Sequence, residues 1–365
     1  MPAHNTVLPA DLVAAATHDD PCSYYAILAD RGLFFDPTLR SWVASSAHVI
    51  EEVLSHPELQ VRPLVEPVPA SLLNTGAAKI FASLVRMTDG PRHGPLKAAL
   101  EAALGSVSET EIYQSAIDTI PVLALPIPPT GAAITRFNYA FPTVVLAHWI
   151  GINQDIWSEL VDEVLACVRC IAPGGSDVEV AAGIQAASQL EQRVRDQLDA
   201  PGPLLQQLVT EFERTGLPDV QMLLIANVVG LWFQACEGCA GLIGQALMLA
   251  NMSESQSNAA DLVDAVLDVT PPIQNTRRFA AADVNIAGCQ VHAGDVLLTA
   301  LPAKDKMTQR NFAFGHGQHA CPGSRWARSI AVAGIEYLLE SGADQKVLGQ
   351  QSWRRSLNAR VPEFL

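Results

Sequence analysis

Most of the chain places apolar residues at helical spacing, in segments separated by proline and glycine. Residues 45–59, SSAHVIEEVLSHPEL, carry valine, isoleucine and leucine along one side and acidic residues on the other. Residues 155–171 and 184–198 repeat this arrangement. These patterns predict amphipathic helices, each of which buries one side in a core.

Two segments have the pattern of strands instead. Residues 33–45, LFFDPTLRSWVAS, contain one β signal, and residues 283–301, DVNIAGCQVHAGDVLLTAL, predict two apolar strands around Gly288 and Gly294. Residues 61–80 contain several prolines and no sustained period, which indicates a long loop of the kind that forms a lid or binding segment. The chain is therefore predicted to be mainly α with small β-sheets.

The longest apolar run is residues 223–250, whose only charged side chain is Glu237. Its length and apolarity would suffice for a transmembrane helix. Its flanks lack a basic cluster and an aromatic belt, and glycines and amides interrupt its middle. We therefore interpret this run as the buried central helix of a large helical domain.

Two C-x-x-C pairs, Cys167 with Cys170 and Cys236 with Cys239, have the spacing of zinc half-sites. Both pairs fall within helical patterns and lack the glycines that zinc-binding turns favour. We interpret them as small side chains buried in helices, with Cys236 and Cys239 as candidates for a pocket wall.

Length, charge and cysteine content narrow the class of protein. A chain of 365 residues can form a single large helical domain, and we predict one domain over residues 1–365. The net charge of −15 argues against general binding of nucleic acid or anionic membranes. Seven cysteines, an odd number, and an N-terminus without a secretory signal favour a cytoplasmic protein with free thiols.

The most specific pattern is residues 312–340, FAFGHGQHACPGSRWARSIAVAGIEYLLE. Glycines permit a tight turn before Cys321, and an amphipathic helix is predicted to begin near Ser324. A thiolate at such a position is stabilised by the unpaired N–H groups and the positive end of the helix dipole. The cysteine could serve as a nucleophile or as an iron ligand, whereas a lone buried cysteine is more often a small core residue.

This segment resembles the haem-binding signature of cytochromes P450, F-G-x-G-x-H-x-C-x-G, with every fixed position filled. The matching residues are Phe314, Gly315, Gly317, His319, Cys321 and Gly323. The resemblance implies a P450-like fold that binds haem b, with Cys321 as the thiolate ligand of the iron, which favours oxygen activation. Phe314 and Gly323 would belong to the cofactor-binding loop.

Further segments resemble the family in the same order along the chain. Residues 87–100 are similar to the family's C helix, residues 141–153 to its E helix, and residues 271–294 to the strand region after its K helix. By this resemblance the haem propionates would be held by His93, Lys97, Arg278 and His319.

The central apolar run corresponds to the family's I helix, commonly A-G-x-E-T-T. Glu237 keeps the acid, whereas Gly238 replaces the threonine that assists proton delivery. We expect Glu237 and Gly238 at the catalytic position and Leu231, Ala235 and Cys239 along a substrate pocket.

The chain also departs from the family in its K helix. The E-x-x-R pair of the family is replaced by Ala265 and Asp268, and the segment that follows is short. We predict that Asp268 pairs with Arg310 instead.

The resemblance implies an oxidoreductase that performs an oxidative tailoring step on a small apolar or mid-sized natural product, as a monooxygenase or a peroxide-dependent enzyme. One alternative is a redox-neutral haem-thiolate cyclase, isomerase or dehydratase, and another is a non-catalytic recruitment module, which the retained Cys321 argues against. The partners would be a small-molecule substrate and a ferredoxin-type donor. Only a few basic residues, Arg92, Lys97, Arg325 and Arg328, are available to dock that donor.

Overall fold

A computed structural model describes residues 7–171, 175–252, 257–304 and 311–365. The described residues form mainly helices with three small sheets, as the sequence predicted. The helices are α1 (Leu12–Ala15), α2 (Cys22–Leu28), α3 (Ala47–Ser55), α4 (Gly76–Ser83), α5 (His93–Gly105), α6 (Glu109–Thr119), α7 (Gly131–Ile150), α8 (Trp157–Ile171), α9 (Asp177–Gln197), α10 (Pro203–Arg214), α11 (Val220–Met252), α12 (Ala259–Val269), α13 (Ser324–Glu340) and α14 (Gln345–Leu348). The strands are β1 (Leu33–Asp36), β2 (Ser41–Ala44), β3 (Leu59–Gln60), β4 (Asn275–Ala280), β5 (Val284–Ile286), β6 (Cys289–Val291), β7 (Val296–Ala300), β8 (Gln351–Trp353) and β9 (Pro362–Phe364).

The chain divides into two compact units. Unit 1 comprises Met1–Val65, Asp264–Cys321 and Trp353–Val361, and unit 2 comprises Glu66–Val263, Pro322–Ser352 and Pro362–Leu365. The prediction of a single domain over residues 1–365 remains a prediction.

Unit 1 is built on a five-stranded sheet with the order β1-β2-β7-β4-β3. All neighbouring strands are antiparallel except β2 and β7, which run parallel. Apolar residues of this sheet share one buried cluster with α1, α2 and α3. Helix α3 contributes its valine, isoleucine and leucine side chains, which the sequence pattern predicted to be buried.

The second β signal of the sequence contains three strands, β5, β6 and β7, where the pattern predicted two. The error has a local cause: β5 and β6 form a tight hairpin whose turn residues Ala287 and Gly288 both have positive φ, 48° and 81°. A two-residue turn of this kind needs positive φ at both positions and leaves no polar spacer that would separate the strands in the sequence.

Unit 2 is a helical assembly in which α11 contacts α7, α9, α4 and α13. The 33 residues of α11 form one continuous helix. The helix is long and apolar enough to cross a membrane, yet 67% of its most apolar window is buried inside the protein. This burial matches the interpretation of α11 as a central helix.

The four paired cysteines lie within helices, as predicted. Cys167 and Cys170 are buried in α8, and Cys236 and Cys239 are buried in α11. Burial raises the pKa of the Cys167 thiol to about 12, which keeps it protonated at neutral pH. At the crossing of α8 and α9, a methyl group on Gly183 would collide with Cys170, so this pair shapes the contact between two helices.

The prediction of a long loop over residues 61–80 is partly wrong. A short 3₁₀ helix occupies Ala70–Leu72, and α4 begins at Gly76 with Thr75 as its cap, since Thr75 Oγ1 accepts a hydrogen bond of 3.2 Å from Ala78 N. The α4 sequence GAAKIFAS extends past residue 80, and its period becomes visible only over its whole length. Residues 61–69 remain without a helix or strand.

Candidate functional site

The loop before Cys321 is closed by its own backbone. Cys321 N donates to Phe314 O over 2.8 Å, Gly315 N donates to Phe312 O over 2.8 Å, and Ala320 N donates to the carbonyl of residue 317 over 3.0 Å. The Cys321 side chain is exposed at the end of this loop. Two residues later Gly323 caps α13, whose first residue is Ser324 as predicted.

Two glycines of the loop are required by its backbone. Gly315 and Gly317 have φ of 72° and 66°, a region that side-chain-bearing residues rarely adopt. A methyl group on Gly317 would also lie 3.0 Å from Ser55 Oγ and 3.1 Å from Leu54 O, at the end of α3. The glycines of the signature therefore let the loop turn and let it pack closely against α3.

Phe312 anchors the loop in the core of unit 1. Its side chain is 1% exposed and belongs to the buried cluster of the sheet, and its ring contacts His316 edge-on at 6.1 Å between centroids. The sequence reasoning passed over Phe312 because it lies outside the fixed positions of the signature. The signal available was an aromatic residue two positions before Phe314.

Unit 1 also contains Arg278 and His319, two of the residues predicted to hold the haem propionates. Arg278 lies on β4 with 4% of its surface exposed, and its Nη1 donates to the carbonyl of Arg277 over 2.9 Å. His319 ends the 3₁₀ turn Gly317–His319 and is half-buried. Both can donate hydrogen bonds to a carboxylate.

The predicted residues His93 and Lys97 of unit 2 lie one turn apart on α5. His93 begins the helix and is 4% exposed. Lys97 is largely buried, and its Nζ lies 3.6 Å from a carboxylate oxygen of Glu101. At the other end of α5, Arg325 Nη2 donates to Gly105 O over 3.3 Å. Two of the four basic residues proposed for donor docking thus already contact their own unit.

An accessible face interrupts the buried surface of α11. Between Leu223 and Leu247, every residue is buried except five: Leu231, Gln234, Ala235, Glu237 and Gly238. Four of these follow the i, i+3, i+4, i+7 spacing of one helix face. The structure therefore brings together Leu231, Ala235, Glu237 and Gly238 of the predicted site.

Gly238 and Cys239 are neighbours in the chain but differ sharply in their exposure. Apart from its chain neighbours and the backbone of its own helix, a methyl group on Gly238 would meet no described atom within 4 Å, so the backbone there borders open space. Cys239 is 1% exposed and lies on the buried side of α11. Its proposed place in a pocket wall remains a proposal.

Asn227 is a structural residue of α11 that the sequence reasoning missed. Its Oδ1 accepts from Val85 N over 2.9 Å and its Nδ2 donates to Ser83 O over 3.0 Å. These bonds fix the end of α4 and the residues that follow it to α11. A lone amide in an apolar helix was the available signal, since buried amides need partners.

The predicted bridge from Asp268 to Arg310 lies partly outside the described residues, because Arg310 does. Among the described residues, Asp268 of α12 pairs with Lys304, which follows β7. The segment after β7 thus supplies a cation to Asp268 within unit 1.

The residues present fit a haem. A haem needs a soft ligand on an accessible, rigid loop and hydrogen-bond donors for two carboxylates. The exposed thiol of Cys321, fixed by the loop's backbone bonds, supplies the first requirement. Arg278 and His319, which belong to the same unit as Cys321, have the chemistry for the second.

Comparisons with known proteins find P450 relatives. No family model matches the chain. Mycocyclosin synthase of Mycobacterium tuberculosis is 35% identical over 107 aligned residues, which cover 24% of this chain and 27% of the relative. Putative cytochrome P450 140 of the same species is 25% identical over 254 aligned residues, which cover 60% of this chain and 58% of the relative. The chain thus matches less than two thirds of the length of either relative.

A solved structure extends the likeness to nearly the whole chain. P450BioI, crystallised with an acyl carrier protein carrying hexadec-9Z-enoic acid, superposes with a TM-score of 0.78 at 19% identity. The match covers 95% of this chain and 97% of that one. Such coverage shows a shared fold. The chain therefore has the fold of this P450 structure, and the filled haem signature and the curated matches are further similarities to cytochromes P450.

Proposed function

We propose that the chain is a haem-thiolate enzyme that oxidises a small apolar or mid-sized molecule in natural-product biosynthesis. The observation that carries this proposal is the loop at Cys321. Its thiol is exposed, its backbone N–H is bonded to Phe314 O, and its glycines have the positive φ that the turn requires.

The cofactor in this proposal is haem b, which supplies oxygen activation when bound. Cys321 would hold the iron, and Phe314 and Gly323 would belong to the loop that positions this cysteine. By the family resemblance, His93, Lys97, Arg278 and His319 would donate hydrogen bonds to the propionates. Charge-assisted bonds of this kind are short and strong, and they fix the orientation of the group.

Proton delivery is assigned to Glu237. Its carboxyl is half-buried on the accessible face of α11, where it can exchange a proton with water or substrate. Gly238 offers no hydroxyl to continue a relay. The proton must therefore pass through water, through Glu237 itself or through a functional group of the substrate, and peroxide would lessen this demand because it carries its own protons.

Leu231 and Ala235 contribute apolar contacts for the substrate, with Cys239 as a further wall residue. Mycocyclosin synthase, by its name, makes a specific small product, and this supports a biosynthetic role for the chain. We propose a cytoplasmic enzyme whose partners are a small molecule and a ferredoxin-type donor, without nucleic acid or membrane. The chain's charge of −15 gives an acidic donor little attraction, so that encounter is predicted to be weak.

A redox-neutral reaction is the second candidate, favoured by the glycine at position 238. In this alternative the haem-thiolate site would catalyse a cyclisation, isomerisation or dehydration. A recruitment module without catalysis is less favoured, because nothing in such a role requires the exposed Cys321 in its loop.

The deciding experiment converts a substrate under four conditions: with donor and oxygen, with peroxide, with oxygen excluded, and with no added oxidant or reductant. The oxidative proposal expects product in the first two conditions only. Product in the last condition at an equal rate would contradict it and favour the redox-neutral reaction. Cys321→Ser is the matched variant, in which all haem-dependent product should be lost.

A further inference from the structure

The accessible face of α11 carries one polar residue besides Glu237. Gln234 is the only residue between Leu223 and Leu247 that is exposed, since the other accessible residues of this stretch are half-buried. It lies near the middle of a 33-residue helix, with buried turns on both sides, so its exposure does not result from a helix end. Its neighbours on the same face are Leu231, Ala235 and Gly238.

The orientation of the Gln234 amide follows from one hydrogen bond. Nε2 donates to Gly230 O, one turn earlier, over 2.7 Å. A backbone carbonyl can only accept, so the atom facing it must be the NH₂ group. Oε1 therefore points away from the backbone, with both lone pairs available.

Gly230 makes this arrangement possible. A methyl group there would lie 2.9 Å from Gln234 Nε2 and 2.7 Å from Leu84 Cδ2. Only glycine leaves room for the amide to fold back against its own helix while Leu84 packs on the other side. The position of the amide is thus built into α11 and its neighbour.

Among the described residues, no hydrogen-bond donor contacts Gln234 Oε1. An oriented acceptor between apolar contacts is the arrangement by which binding sites select ligands with a matching donor. We propose that Gln234 is a specificity-determining residue that selects substrates bearing a hydroxyl or N–H group next to an apolar ring or chain. This inference rests on the proposed function, because it takes the face of α11 as the one that contacts the substrate.

The proposal is tested with ligand pairs that differ only in the donor hydrogen. Suitable probes are 4-phenylphenol with 4-methoxybiphenyl, and indole with 1-methylindole. The added methyl group makes the second member of each pair more hydrophobic, so simple apolar burial would favour it. Binding is measured on the purified holoenzyme by the Soret shift and, independently, by quenching of tryptophan fluorescence.

We expect the wild type to bind the donor member roughly 3- to 10-fold more tightly, which is the effect of one net hydrogen bond. Gln234→Leu should reverse or abolish this preference, and Gln234→Glu should keep it because carboxylate oxygens also accept. Gln221→Leu is the matched control, since it makes the same change at an exposed position of α11 outside the face. It should keep the preference.

Equal binding within each pair, no binding by any donor member, or a preference that survives Gln234→Leu would overturn the proposal. Failure of the proposed function shows itself differently, as a protein without a thiolate-ligated haem spectrum or as product formed at an equal rate without added oxidant or reductant. A normal haem spectrum without a preference for ligands that carry a hydrogen-bond donor would therefore contradict only the assignment of Gln234.

Discussion

At the scale of single residues, the glycines of the Cys321 loop show how conformation and contact combine. Gly315 meets no atom closer than 3.7 Å with an added methyl group, so its requirement is mainly its φ of 72°. Gly317 has a similar φ and in addition faces Ser55 and Leu54 at 3.0–3.1 Å. The second glycine therefore couples the loop to α3.

Gly317→Ala should lower the free energy of unfolding by about 2 kcal/mol, with about 1 kcal/mol from the left-handed backbone and the rest from the contact with α3. It should also lower the haem content per chain. Gly342→Ala is the control, because Gly342 has φ of 74° but no atom within 4 Å of an added methyl group. Denaturant unfolding and haem titration of both variants separate the effect of the left-handed backbone from the effect of the contact with α3. Equal losses in the two variants would contradict the role of the α3 contact.

Gly238→Thr restores the hydroxyl that the family pattern has at this position. The site has room for the side chain, and threonine in a helix is no worse than glycine, so stability should stay within about 0.5 kcal/mol of the wild type. Oxygen-dependent turnover should rise, while peroxide-dependent turnover should change little. Gly238→Val has the same shape without the hydroxyl and should give no rise. A rise with valine as well would show that shape, rather than proton transfer, is responsible.

At the scale of elements, the sequence predicted those helices whose apolar period is complete. It located α3, α8 and α9, and it placed the start of α13 correctly because glycine and proline punctuate that segment. It missed α4, which lies behind a proline-rich stretch. The anchoring of that segment by Asn227 could not be predicted, because a long-range hydrogen bond to Val85 leaves no periodic trace.

Capping boxes stabilise the first turns of α6 and α9. Ser108 and Ser176 exchange hydrogen bonds with Glu111 and Glu179, and these bonds hold the pKa of each carboxyl below its ordinary value of 4.5. The unfolded chain then binds more protons as the pH falls below 4.5. The stabilisation is present above that pH and is lost as the pH falls through the lowered values.

The double variant Glu111→Gln, Glu179→Gln cannot titrate at these positions. The wild type should therefore be more stable than the variant at pH 6, and the difference should shrink between pH 4.5 and pH 3. Thermal unfolding of both proteins across this pH range measures the difference in stability. Glu109→Gln with Asp177→Asn serves as the control, since these acids share the same first turns outside the capping boxes. A wild-type advantage that does not depend on pH would contradict the explanation.

At the scale of the whole molecule, the pattern of apolar positions predicted the class of fold, and the filled signature predicted the residues of the Cys321 loop. The division into two compact units had no sequence signal, since unit 1 is assembled from three separate stretches of the chain. One of these, Trp353–Val361, carries Arg360. Its guanidinium donates to the carbonyls of Ala16, His18 and Asp19 and lies 3.6 Å from the centre of the Trp353 ring.

Arg360→Met should destabilise unit 1 by roughly 2 kcal/mol. Three carbonyls lose a charged donor, and the loss is partly offset because the wild type bears a desolvation cost: burial lowers the pKa of Arg360 to about 10. Hydrogen exchange should show faster opening of residues 12–19. Arg355→Met removes a cation from the same stretch at a more exposed position and should change stability by less than about 0.5 kcal/mol. Similar effects of the two variants would contradict the assignment.

The proposed chemistry of this chain depends on Cys321 as the thiolate ligand of a haem. The absorbance spectrum of the reduced, CO-bound protein tests this most directly. The wild type should show the Soret band characteristic of thiolate-ligated haem, and Cys321→Ser should lose it. A protein that binds no haem, or one whose Soret band is unchanged in Cys321→Ser, would contradict this role of Cys321.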